Sequence, residues 1–449
     1  LPPTEAFLGR GKWLQRFGLA CGWPIPKGFL IVRPPAPRLV KINPNVEHFP
    51  MPALASLAPS QPTASLTDWK QFRREMPVTN RWAYFDHAAV GAIPQLAFDR
   101  ISRWASEALL EGDAVWGSWA KLHEATRETA AAMVNALPGE ISLVPNTSFG
   151  INLVAEGFPW QPGDNVVIPE HEFPSNIYPW MQLRDRGVEL RTVPLDGVKV
   201  PLDAIVSAMD SRTRIVSASW VGYASGYRLD PCELGARVRE RGALFFLDAI
   251  QGLGVFPLDV QQAPIDFFAA DGHKWLLGPE GAGLFYLRQE HLNLLRPLNI
   301  GWNSVAHGND FSRVDLNLRR TASRYESGTQ NMAGFIGLGG SLETLRKFGL
   351  GPSHSAIAER ILELTDQLAE RILRAGWKLG SDRSNATVKS GILAFEVPGV
   401  DSLTLKQQLH SERVVLSFRG GMLRLAVHAF NDESDFEQLF NAVRKLTGK

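Results

Sequence analysis

Cysteine is nearly missing from this chain: Cys21 and Cys232 are the only two in 449 residues. Two thiols cannot build a disulfide framework or a cysteine-rich zinc site, and such usage points to a reducing cytoplasm. An excess of charge is missing as well. With 47 basic and 46 acidic residues the formal net charge is +1, which gives no reason to expect a nucleic acid or an anionic membrane as partner. No apolar run reaches the length of a membrane span. The most apolar early stretch, Trp13 to Val32, is broken by Arg16, Pro24, Pro26 and Lys27, and it lacks the basic-then-apolar order of a signal peptide. His-Glu-x-x-His, a phosphate loop ending in Gly-Lys-Ser/Thr and a Gly-x-Ser-x-Gly elbow are all absent. Gly278-Pro-Glu-Gly-Ala-Gly283 is rich in glycine but carries no lysine.

What is present is ordinary for a globular protein: 45% hydrophobic and 21% charged residues. The length supports a large core and more than one domain. The first 67 residues hold 12 of the 30 prolines and show no lasting periodicity, so they read as a disordered extension. The chain opens on Leu1 and not on Met; it reads as a fragment or as one whose start is misassigned.

From Trp69 the pattern changes. Leu96 to Leu110 and Trp119 to Leu137 have helical spacing of apolar residues. Strand-like runs then alternate with helical ones: Ile141–Val144, Asn165–Ile168, Glu189–Val193, Arg214–Ser219, Ala243–Asp248, Phe267–Ala270 and Gly283–Leu287. Helices are expected after Thr147, Phe173, Leu202, Pro231 and Ala249. Such alternation predicts an α/β fold with a mostly parallel sheet. A long helix from Ser355 to Ala375 leads to a smaller α+β piece with strands at Gly391–Val397, Val414–Phe418 and Met422–Val427 and a last helix at 435–446. The expected division is an extension at 1–67, an N-terminal arm and large domain at 68–345, and a small domain at 346–449 that also takes in part of 68–110.

Two strands end in reactive side chains. One is Ala243-Leu-Phe-Phe-Leu-Asp248; the other leads through Asp271-Gly-His273 to Lys274, with 274 − 248 = 26 residues between them, about one strand–helix–strand step. In open α/β sheets the carboxyl ends of strands face the ligand crevice. A carboxylate, the amide of Gln251, an imidazole and an amine there suit pyridoxal phosphate (PLP), which needs a lysine for its Schiff base and an acid for its ring nitrogen. The carboxylate of Asp248 keeps that nitrogen protonated. Gln251, one turn on in the expected helix, shares its face and donates to the phenolic oxygen O3′. His273 contacts the phosphate.

On these residues the chain resembles the fold-type I PLP enzymes, in the branch of class V aminotransferases, cysteine desulfurases and isopenicillin N epimerase. The carrying runs are Leu247-Asp-Ala-Ile-Gln251, Gly272-His-Lys-Trp-Leu-Leu-Gly-Pro-Glu-Gly281 and Arg324-Tyr-Glu-Ser-Gly-Thr329, with Tyr84-Phe-Asp-His-Ala-Ala89 as the opening strand and Pro145-Asn-Thr-Ser-Phe-Gly-Ile-Asn152 as the phosphate loop. The likeness extends from about Trp69 to the C-terminus. It implies a PLP-dependent transferase-like fold with a mostly parallel seven-stranded sheet and a smaller C-terminal α+β domain. It implies phosphate contacts from Thr147 and Ser148 at a helix N-terminus, where free N–H groups bind anions. Thr329 would reach the cofactor of the neighbouring subunit, so a homodimer is expected. Phe173 would stack on the ring, with His171 as the alternative. Arg424 would grip the substrate carboxylate, and Arg419 would stand beside it.

Three departures bear on the reaction. Tyr223 stands where the family often has Asn. Asp271 replaces the usual Ser or Thr, so it is expected to bond locally and not to phosphate. Between Leu416 and Arg424 there is no cysteine, although cysteine desulfurases carry their nucleophile there; Cys232 reads as a structural thiol. The expected activity is therefore PLP-dependent chemistry at the Cα of a small amino acid through Lys274, aminotransferase-like or carbon–sulfur lyase-like. Epimerisation of the isopenicillin N epimerase type is the alternative. A PLP-fold regulatory protein without turnover is disfavoured by the intact Asp248, Gln251 and Lys274.

Overall fold

The computed structural model describes residues 67–448. The proline-rich stretch as far as Leu66, with Cys21, lies outside the described residues. In chain order the strands are β1 (Ala83–Tyr84), β2 (Ile141–Val144), β3 (Asn165–Pro169), β4 (Glu189–Val193), β5 (Thr213–Ser219), β6 (Leu244–Asp248), β7 (Phe267–Asp271), β8 (Gly283–Leu287), β9 (Lys378–Leu379), β10 (Ile392–Glu396), β11 (Val414–Val415), β12 (Ser417–Arg419) and β13 (Met422–Ala426).

Seven of them form one sheet in the order β2-β8-β7-β6-β5-β3-β4, in which only β8 runs against its neighbours. Every residue of β3, β7 and β8 is buried, as both-face coverage by helices requires. That is why these strands read as unbroken apolar runs rather than alternating ones. A second, four-stranded antiparallel sheet has the order β12-β13-β10-β9. It shares an apolar core with the helix Ala356–Arg374 and the helix Glu433–Thr447. Ala83 and Phe85 belong to this same core, and β1 pairs in parallel with β11.

Three local expectations are corrected. No helix follows Ala249; the chain turns instead, with Leu253 N–H bonded to Ala249 O at 2.8 Å and Phe256 N–H to Gly252 O at 3.0 Å. Gly254 sits at φ +98° against the backbone of Trp275, a left-handed conformation that ends any helix. The run Val414–Phe418 is two strands, because β11 pairs with β1 while β12 pairs with β13. A helix at Met332–Lys347 goes unannounced in the sequence, since Gly334, Gly337, Gly339 and Gly340 lower its intrinsic propensity. It forms because it is packed against the helices Gln95–Leu110 and Trp116–Met133, where the small residues allow close approach.

Candidate active site

The carboxyl ends of β6 and β7 open on a cavity of about 340 Å³. Thr147, Ser148, Phe173, Asp248, Gln251, His273, Lys274 and Arg424 all line it. Of the nine residues expected at the site, only Thr329 does not; it is exposed elsewhere on the chain.

Asp248 is the last residue of β6, level with Ser219 of β5 and Ala269 of β7. Its carboxyl accepts the Ile250 N–H at 3.2 Å. Burial pushes its pKa up to about 6, against the attraction of Lys274. Lys274 is buried three residues past the end of β7. Burial brings its amine down to about 8, opposed by Asp248 and helped by the positive charges of Arg424 and Arg419. The turn that carries it is pinned from outside: Gly91 N–H donates to His273 O at 2.6 Å. A side chain at Gly91 would run into the carbonyl of Lys274, so only glycine permits this approach.

Gln251 reaches the cavity without a helix. Its amide Nε2 donates to Ala88 O at 3.0 Å and its Oε1 accepts from Trp275 Nε1 at 2.7 Å. Both bonds fix the side chain, and one amide N–H remains for a ligand.

The anion-binding end is built on the helix Thr147–Gly157, capped by Asn146, whose side chain accepts the Phe149 N–H at 2.8 Å. Thr147 Oγ1 accepts the Asp271 N–H at 2.9 Å, so its own hydroxyl hydrogen is left to donate. Ser148 Oγ donates to Ser175 Oγ at 2.8 Å. Asp271 Oδ2 lies 3.0 Å from His273 Nδ1, but neither that nitrogen nor the buried Asp271 Oδ1 has a hydrogen-bond partner among the described residues. First-turn N–H groups, the Thr147 hydroxyl and an imidazole thus fit a phosphate, and the buried amine and carboxyl fit the aldehyde and ring nitrogen of PLP.

Phe173 is 40% exposed at the cavity wall, with its ring centroid 5.4 Å from Lys274 Nζ. It meets Tyr223 edge to face, at 5.4 Å between centroids. His171 is exposed and absent from the lining. Arg424 has a side chain only 2% exposed. Its Nη1 donates to Tyr223 O at 2.6 Å, and its Nη2 donates to Ser417 Oγ at 2.9 Å and Asp86 Oδ1 at 3.4 Å. Cys232, at the start of the helix Pro231–Glu240, is exposed and takes no part in the lining.

Two residues escape sequence reasoning. Asp86 is the counter-ion of Arg424. Glu172 is a fully buried second carboxyl beside Asp248. It accepts Ser219 N–H at 2.7 Å, the Ser219 hydroxyl, and Asn176 Nδ2 at 3.1 Å. Burial, with a contribution from Asp248, lifts it to about 7 despite those bonds. Asp86 lies inside a run already singled out, Tyr84 to Ala89, and Glu172 stands next to Phe173, but nothing in a linear pattern says which charge meets which.

A family model described as aminotransferase class-V matches residues 83–427. A probable cysteine desulfurase of Methanothermobacter thermautotrophicus is 31% identical over 404 residues, covering 84% of this chain and 97% of that protein. The isopenicillin N epimerase of Amycolatopsis lactamdurans is 26% identical over 407 residues, covering 85% of this chain and 99% of that protein. The apo structure of a cysteine desulfurase from Thermococcus onnurineus NA1 is similar with a TM-score of 0.77 at 25% identity, covering 86% of this chain and all of that one.

Proposed function

The chain belongs to the class V aminotransferase family, and from that premise we propose that it is a PLP-dependent enzyme acting at the Cα of a small amino acid through Lys274. The carrying observation is the burial of Lys274 and Asp248 in one cavity that also presents a helix N-terminus. PLP, when bound, supplies an electron sink for the charge left at Cα. Asp248 then offers a carboxylate to the protonated ring nitrogen. Thr147, Ser148 and His273 hold the phosphate, and Phe173 covers the ring. With a pKa near 8, Lys274 has a neutral fraction at physiological pH and serves as the base for the Cα proton.

Transamination and carbon–sulfur lysis are the reactions we favour. Epimerisation begins with the same deprotonation and is the nearest rival. Among the described residues no thiol lines the cavity, and the thiol of the exposed Cys232 is held above its ordinary pKa by partial desolvation and by the negative charges of Asp230 and Asp259. Both features argue against a persulfide route. The test is a screen of amino acids against the purified, cofactor-loaded protein, following the visible spectrum and products. A protein that takes up PLP but alters no amino acid would leave only the regulatory reading.

The amine sets a pH dependence. Cofactor-free protein should capture PLP at a rate that rises with pH through about 8 and then levels, because only the neutral amine attacks the aldehyde. Stopped-flow absorbance measures it; a flat profile between pH 6 and 9 would remove Lys274 from that role.

Arg424→Ala should lower the specificity constant at least about tenfold, a charge-assisted bond being worth roughly 1.5–3 kcal/mol. The loss should fall mainly on KM, with PLP content unchanged. Normal kinetics in this variant would relocate carboxylate binding. Replacing both Cys21 and Cys232 by Ser should have little effect; a dead but folded double variant would revive a thiol mechanism.

The active unit is proposed to be a homodimer with shared sites. Thr329 is exposed and outside its own cavity, and Ile300, Trp302, Phe311, Val314 and Leu316 leave apolar surface in the preceding segment, Val314 at 96% exposure. Sedimentation should show a dimer at working concentrations; an active monomer would contradict it.

A further inference from the structure

Most charges facing the cavity have an opposite one to answer them. Arg424 has Asp86 at 3.4 Å, and Lys274 and Asp248 attract each other across the cleft. Arg419 is different. It lines the same cavity, its Nη1 donates only to the neighbouring Phe418 O at 2.8 Å, and no carboxylate among the described residues forms an ion pair with it.

The hairpin explains why it points there. β12 and β13 pair Ser417 with Arg424 and Arg419 with Met422. Side chains alternate along a strand, so Ser417 and Arg419 share one face with Arg424 and Met422. The two guanidiniums are diagonal neighbours, within reach of one elongated ligand. Arg424 has five N–H donors; three are engaged by Tyr223, Ser417 and Asp86. Two remain, one on Nη1 and one on Nε, and Nε is buried without a partner. Asp86 is ion-paired with Arg424 and only feels Arg419 from further off, so Arg419, exposed at the cavity rim, is left among the described residues without an ion pair of its own.

We propose that the substrate is an amino acid with an acidic side chain, its α-carboxylate on Arg424 and its second carboxylate on Arg419. This rests on the cavity being an amino-acid site, and it deepens that reading. The repulsion between two guanidiniums on one face is relieved when the second acid arrives.

The test is calorimetric titration of the PLP-loaded protein with glutarate and with butyrate, unreactive acids of similar length. Glutarate should bind about tenfold more tightly than butyrate, as one added charge-assisted contact implies. Arg419→Ala should erase that advantage while changing butyrate affinity less than about twofold, and Arg419→Lys should restore part of it. Equal affinities in the unaltered protein, or an advantage that survives in Arg419→Ala, would overturn the proposal and leave the amino-acid site standing. Binding of neither acid would overturn both readings.

Discussion

Lys274→Ala should yield a folded protein with no covalent, borohydride-reducible link to PLP and no measurable turnover. The unaltered protein should be yellow, and reduction followed by peptide mapping should place the label on the peptide containing Lys274. The expectation follows from position: among the described residues Lys274 is the one amine lining the cavity, and its depressed pKa makes it nucleophilic near neutrality. The fold should survive, because the lysine is buried at a cost in solvation that alanine does not incur. PLP should still dock without the amine, held by the Thr147–Gly157 helix N-terminus and His273. A label found on another lysine would sink the assignment.

Asp248→Ala should be nearly as severe in rate and quite different in spectrum. A carboxylate about 4 Å from a cationic ring nitrogen, at an effective dielectric of about 20, is worth roughly 4 kcal/mol. That corresponds to roughly three orders of magnitude in rate. Cofactor uptake should continue, since neither Lys274 nor the phosphate end is touched. Near-normal turnover would transfer the role to another carboxyl. Asp271, which lines the cavity, is the first to test, whereas Glu172 lies outside the lining with its carboxyl engaged by Ser219 and Asn176. The double variant lacking both Asp248 and Asp271 would then decide it.

Much of this protein was legible in its sequence. Buried parallel strands are continuous apolar runs bounded by turns, and each strand of the large sheet was foreseen to within a residue or so at its ends. Lys274, Asp248 and the Thr147–Ser148 turn declared themselves because strand ends in such a sheet face one crevice, a rule that needs no contacts to apply. The family, too, was readable, because its motifs are local. Tertiary structure decided what depends on packing between distant segments. Gln251 reaches the cavity from a turn because Gly254 is pressed against Trp275. The helix Met332–Lys347 exists through burial and against its propensity. The pairing of charges could not be read along the chain either. Asp86 meets Arg424 across 338 residues because β1 and the turn after it lie against the C-terminal sheet. Electrostatic partnership is set by distance and burial, and only the folded chain brings Glu172 to Asp248 and leaves Arg419, among the described residues, without an ion pair.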